Sequence, residues 1–206
     1  AGAVVTFFGT GSRFLPMLRE HELSRDALVR LTRAVHKACL DGAGREHIAV
    51  HVRLGDFPCG APDDPNSGDC RLPLSWYVHV ATELRRAAGR AIPIRLFSDG
   101  TDEELADLLA LPNSARAFFG SSVGDMLAMS RASVLVASAS SFSMWASYLG
   151  RMPVVFYPGK LRQRIYYERP EAEVECGIGA SLSDGFLRTI EWNHQAPTAP
   201  AEEVAG

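Results

Sequence analysis

The sequence predicts a doubly wound α/β domain with a parallel sheet. Short apolar runs alternate with helical patterns along most of the chain, and strands separated by helices pair in parallel. The run Ser133–Ala137 is apolar without alternation, as expected of a strand buried on both faces. Composition agrees: 206 residues, 47% hydrophobic and 22% charged, fit one globular domain and exclude a disordered or collagen-like chain.

Taken in order, Ala3–Phe8 reads as a strand. Ser24 caps a helix reaching Leu40, with Leu28, Leu31 and Val35 on its buried face. Ile48–Arg53 is a strand followed by a long loop to Pro73. A helix from Ser75 carries Trp76, Val80 and Leu84 on one face and stops at Gly89. Ile92–Phe97 is a strand, and Thr101 with Glu104 forms a capping box that opens a helix through Leu109. Ala115–Phe119 is a short strand and Gly124–Arg131 a helix. After the Ser133–Ala137 strand, Ser141–Leu149 is a helix ended by Gly150, and Pro153–Tyr157 is the last strand. Ser181–Trp192 is expected as a terminal helix. The domain is set at residues 1–193, and the Pro-, Ala- and Glu-rich residues 194–206 as a disordered tail.

Charge excludes some partners. The net charge is −3, which supplies no field for a nucleic acid. No apolar run reaches the roughly 18 residues of a membrane span. All basic residues except Lys37 and Lys160 are arginines, the better bidentate partner for phosphate, although a GC-rich genome yields the same bias. Of the four cysteines, Cys59 and Cys70 bracket a polar loop. A disulfide there and two reduced thiols are equally compatible with the sequence. No Cys/His ligand set suggests a metal.

Ligands of such sheets bind beyond the carboxyl ends of the strands, so the strand-to-helix loops are where chemistry belongs. In His51-Val-Arg53-Leu-Gly55-Asp56, alternation puts His51 and Arg53 on one face, with Arg53 at the strand end placed for an anion. The competing reading is an Arg53–Asp56 salt bridge with His51 in the wall. Asp99, after the next strand, reads first as a turn residue. The loop 138–143 carries serines at 138, 140, 141 and 143, where backbone amides, hydroxyls and the helix dipole make an anion cradle. Plain N-capping explains one of them. Asp125 begins a helix, where capping alone accounts for a carboxylate. Arg53 together with the serine loop suits a diphosphate held without a metal, as a nucleotide-sugar transferase requires.

Two blocks carry a family resemblance. Ile48–Phe57 (IAVHVRLGDF) resembles the H-x-R-x-G-D motif of α-1,2-fucosyltransferases, shared in looser form by α-1,6- and protein O-fucosyltransferases. Gly124–Gly150 resembles their second block of Asp, Leu-Met-Ser, a buried strand and Ser-Ser-Phe-Ser-Trp-Trp-Ala. The resemblance covers roughly residues 46–160. It implies the donor-binding domain of a B-type glycosyltransferase, with GDP-fucose as donor, a glycan acceptor, inversion at the anomeric carbon, and neither metal nor other cofactor. It implies that Arg53 grips the β-phosphate, that His51 and Asp125 lie at the guanine, and that Ser140, Ser141 and Phe142 line the phosphates. The sequence departs from the pattern at Leu54 and at Met144-Trp145, and no general base stands out. Asp56, Asp63, Asp64 and Asp69 are candidates by nearness in sequence, with Asp56 also able to orient Arg53.

Enzymes of this type run to about 300 residues in two domains, so an amino-terminal acceptor half is expected on a missing segment or a second chain, with residues 1–45 as its junction. Two other readings follow. One is a non-catalytic nucleotide- or glycan-binding module. The other is a different sugar-nucleotide transferase, or a hydrolase using Ser140 or Ser141, with His79 or His194 as its base. The compartment is cytoplasmic for a bacterial chain and Golgi or secretory lumen for a eukaryotic one; the sequence does not choose.

Overall fold

In the computed structural model, residues 14–37, 40, 46–58 and 70–192 are described. The Ala3–Phe8 strand, Cys59 and hence the disulfide, Asp63, Asp64, Asp69, His194 and the tail lie outside them.

Six strands form one parallel sheet: β1 (Ile48–Val52), β2 (Ile94–Ser98), β3 (Ser114–Arg116), β4 (Val134–Val136), β5 (Val154–Phe156) and β6 (Glu173–Glu175), in the order β3-β2-β1-β4-β5-β6. The chain winds outward from β1 through β2 to β3, then crosses back to place β4 on the other side of β1. Ile48 and Val50 thus register with Ile94 and Leu96 on one side and with Val134 and Val136 on the other. The reversal at β1/β4 opens a crevice at the strand ends, and parallel α/β sheets bind ligands there.

Both faces are covered, as apolar parallel strands require. On one face, Ile48, Val50, Val52 and Leu54 pack on α2 (Leu74–Ala88), through Trp76, Tyr77, Val80 and Leu84, and on α3 (Ala106–Leu109). On the other, Ala49, Leu135 and Val154 pack on α4 (Ser122–Met129) and α5 (Ser141–Gly150), with Phe14 sealing the edge. Local signals hold where they have a mechanism. Gly89 ends α2 in the left-handed conformation, and Thr101 and Glu104 exchange side-chain-to-amide hydrogen bonds of 2.9 and 3.2 Å as a capping box.

Four expectations are corrected. The first helix, α1 (His21–Leu31), begins before Ser24 after a 3-10 segment (Leu15–Glu20) and ends where Thr32 turns extended, so it does not reach Leu40 as one helix. Leu31 and Val35 are exposed, and only Leu28 of the expected face packs on the core. The stretch 115–119 contributes only Ala115 and Arg116 to β3; Phe118 and Phe119 lie in the loop beyond. The terminal helix is the single turn α6 (Asp184–Leu187). β6 escaped because Glu173 and Glu175 give it no apolar run. Glu173 is nonetheless fully buried, since its carboxylate accepts the Ile165 and Tyr166 amides at 2.9 Å. No helix among the described residues is long and apolar enough to cross a membrane.

Candidate functional site

β1 delivers His51 and Arg53 to the crevice on the α4/α5 side. Ala49, two residues earlier, packs in that half of the core, and alternation carries His51 and Arg53 after it. Across the switch point, α5 presents its N-terminus. Ser140 is the N-cap and its hydroxyl accepts the Phe142 amide at 3.2 Å. The other amides of a first helical turn have no partner inside the helix and face whatever lies beyond it. Ser141 is exposed and Phe142 half-buried, its ring 5.2 Å from that of His51.

Two hydroxyls meet the His51 ring. Ser143 Oγ lies 2.6 Å and Ser138 Oγ 3.0 Å from Nδ1, and the Ser138 amide donates to Ser143 Oγ at 3.1 Å. All three residues are buried. Burial, reinforced by the Arg53 charge and opposed by Asp99, lowers the His51 pKa from 6.5 to about 3, so the ring is neutral at physiological pH.

Arg53 sits between two carboxylates. Nη1 pairs with Asp99 Oδ2 at 2.9 Å, Nη2 donates to Asp56 Oδ1, and the guanidinium lies 5.3 Å over the Phe57 ring. Asp99 is more than the turn residue expected. Its Oδ1 accepts the Leu54 amide at 2.8 Å. Burial pushes its pKa up, but the Leu54 and Gly55 amides and the Arg53 charge outweigh that and hold it below the ordinary carboxylate value. Gly55 is needed for this approach: a Cβ there would stand 2.9 Å from Asp99 Oδ2. The β2 end thereby braces the loop that follows β1.

Asp125 is in the first turn of α4, but the N-cap is Ser121, which accepts the Gly124 amide. The Asp125 carboxylate accepts the Phe119 amide at 2.7 Å; burial raises its pKa, the hydrogen bond opposing. It thus fixes the loop after β3, where the Phe118 ring is exposed and the Phe119 ring stacks on Phe97 at 6.4 Å.

The structure therefore gathers His51, Arg53, Asp56, Asp99, Ser140, Ser141 and Phe142 around the ends of β1, β2 and β4. Asp125 lies by the end of β3. The sequence places Ser138 and Ser143 in the anion cradle with Ser140 and Ser141, but not their contact with His51. The available signal was spacing: Ser143 falls in the first turn of a helix whose buried side faces the His51 side of β1. Of the hydrolase pairing, Ser140 caps its helix and the His79 ring bonds the Ala180 carbonyl at 2.8 Å on the α2 side of the sheet, while His194 lies outside the described residues.

A cavity of about 840 Å³ opens beside the ends of β5 and β6, lined by residues including Leu161, Arg162, Gln163, Arg164 and Glu175. Much of its lining is spent on its own loop. Arg164 donates to the Pro170 and Glu173 carbonyls, and Glu175 accepts the Leu161 amide.

No family model matches the sequence, and no curated protein matches it. Among solved structures, the chain is similar to POFUT1, a protein O-fucosyltransferase, in a crystal structure with GDP. The TM-score is 0.46 and the identity 14%, with 62% of this chain and 47% of that chain covered. The match spans about half the length of POFUT1.

Proposed function

We propose that this domain binds the diphosphate of a nucleotide-sugar donor at the β1/β4 crevice. In its specific form, GDP-fucose is the donor, and the domain is the donor-binding half of an inverting glycosyltransferase that passes fucose to a glycan hydroxyl. One observation carries the reading: Arg53 and the serine-rich N-terminus of α5 stand at neighbouring strand ends, joined through His51, Ser138 and Ser143. When the sugar leaves, negative charge grows on the diphosphate. A fixed guanidinium and the amides at a helix N-terminus stabilise that charge without reorganising. The H-x-R-x-G-D and Ser-Ser-Phe-Ser resemblance supplies the choice of guanine and fucose.

Calorimetry with GDP, UDP, ADP and GDP-fucose, with and without chelator, tests the reading. GDP and GDP-fucose bind best, chelator has no effect, and Arg53→Ala weakens GDP by roughly a hundredfold, the loss of charged hydrogen bonds to phosphate. Unchanged GDP affinity in Arg53→Ala defeats it.

A second reading, a non-catalytic nucleotide-binding module, is favoured by the engagement of Asp56 and Asp99 with Arg53, which occupies the carboxylates nearest the crevice. Turnover of GDP-fucose by this chain with any acceptor eliminates it.

A further inference from the structure

We propose that Ser138 and Ser143 are positioning residues that fix His51 as a neutral hydrogen-bond donor through Nε2, aimed at an acceptor atom of the bound nucleotide. The inference rests on the nucleotide-binding reading above and deepens it.

His51 and the two serines form a closed, buried cluster whose protons can be counted. The Ser138 amide, the Ser138 hydroxyl and the Ser143 hydroxyl each bring one proton. The acceptors within reach are the two Oγ atoms, 3.1 Å apart, and His51 Nδ1. If the ring proton is on Nε2, every donor inside the cluster is placed, and Nε2 itself points out of the cluster and is not among the fully enclosed unpartnered atoms. The Ser143 hydroxyl donates to Nδ1 over the short 2.6 Å contact, the Ser138 hydroxyl donates to Ser143 Oγ, and the Ser138 amide donates to Ser143 Oγ. If the proton is on Nδ1, the cluster holds one donor too many. The ring N–H takes one Oγ and a single proton bridges the two hydroxyls, so the remaining O–H has no acceptor. A buried donor without an acceptor costs more than an ordinary hydrogen bond contributes, so the Nε2 tautomer wins.

Burial also keeps the ring uncharged, which leaves Nδ1 bare for the serine proton. Among the described residues nothing bonds Nε2, and the ring belongs to the strand end that carries Arg53. A neutral Nε2–H cannot take a proton from an acceptor hydroxyl. It can donate to a base carbonyl or a phosphate oxygen. His51 is therefore a ligand-orienting donor and not a general base.

The test is made on the whole chain. In ¹⁵N-labelled wild type, His51 should show a proton bonded to Nε2, an unprotonated Nδ1, and no titration down to about pH 5. The double variant Ser138→Ala/Ser143→Ala should lose the single tautomer and weaken GDP about tenfold. Ser143→Thr, which keeps the hydroxyl, should retain both. Parallel titrations with guanosine and with inorganic diphosphate separate the sources of the acceptor atom: a loss confined to guanosine places it on the base, and one confined to diphosphate on the phosphates. A proton on Nδ1, or on both nitrogens, in the wild type overturns the proposal. So does full GDP affinity in a folded double-alanine variant. Wild type that shows the Nε2 proton but binds neither GDP nor its parts defeats the nucleotide-binding reading instead and leaves the serine lock standing.

Discussion

Acidification charges a histidine in the unfolded chain well before it charges His51. The ordinary value of 6.5 is lowered in the fold to about 3, first by burial and then by Arg53, with Asp99 pulling the other way. The sign follows from proton counting. Between those two values the unfolded state holds the extra proton, so stability rises with pH and is lost as pH falls through 6.5 toward 3. From about pH 7 to about pH 5, His51 alone removes about 2 kcal/mol, because the unfolded group becomes almost fully protonated while the folded one stays neutral. For a domain of this size that is roughly a 4–8 °C fall in Tm. Urea denaturation of wild type and His51→Asn at several pH values isolates the effect. The Asn Oδ1 takes the place of Nδ1 as acceptor for the serine hydroxyls but does not titrate, and the other histidines contribute equally to both proteins. The wild-type advantage should shrink by about 2 kcal/mol over that range. Parallel stability profiles refute both the burial argument and the neutral ring.

Three further outcomes follow. Gly55→Ala sets a Cβ 2.9 Å from Asp99 Oδ2, so the carboxylate must shift; it should cost about 1–3 kcal/mol in urea denaturation and loosen Arg53, while an unchanged midpoint contradicts the close packing. Glu173→Ala leaves the buried Ile165 and Tyr166 amides without their acceptor and should cost about 2–4 kcal/mol by the same measurement, with GDP binding intact if the crevice at β1/β4 is the site. Asp56→Asn should tighten GDP about threefold by calorimetry, since it removes a competing negative charge from a largely exposed pair; weaker binding counts against phosphate replacing Asp56.

The sheet was legible because its central strands are apolar runs whose burial is dictated by two flanking partners. Ile48–Val52 and Val134–Val136 are buried throughout, as their sequence requires. Edges were not. β6 carries two glutamates, and its pairing depends on main-chain hydrogen bonds and on the Ile165 and Tyr166 amides, eight and seven positions away, that no periodicity signals. The first helix failed because Leu31 and Val35 look like a buried stripe, while neither finds a core to face among the described residues. In the crevice, Arg53 and the serine loop were legible from residue type at strand ends. Asp99 was not, since a carboxylate after a strand suits a turn equally well. Its role depends on the parallel pairing of β1 with β2, which brings the Leu54 amide within 2.8 Å. The contact of Ser138 and Ser143 with His51 was hidden for the same reason: their partner is 87 and 92 residues away in sequence.

The two carboxylates on Arg53 are not equivalent, and the difference bears on how a donor enters. Asp99 is held from behind by the Leu54 amide and has a side chain 28% exposed, whereas the Asp56 side chain is 73% exposed. An exposed ion pair contributes little, because water and salt compensate its loss, while a carboxylate fixed by amides keeps its partner oriented. On the proposed reading, an arriving diphosphate therefore displaces Asp56 and leaves Asp99 in place. Arg53 then keeps its aim and exchanges a weak anion contact for a stronger bidentate one. The same exchange would free the Asp56 carboxylate when the donor is bound. If Asp56 also serves as the base, orienting Arg53 and accepting the proton would be successive states of one aspartate. Asp56→Asn separates them: the nucleotide affinity reports the first role and the turnover of GDP-fucose the second, and a variant that gains the former while losing the latter has both.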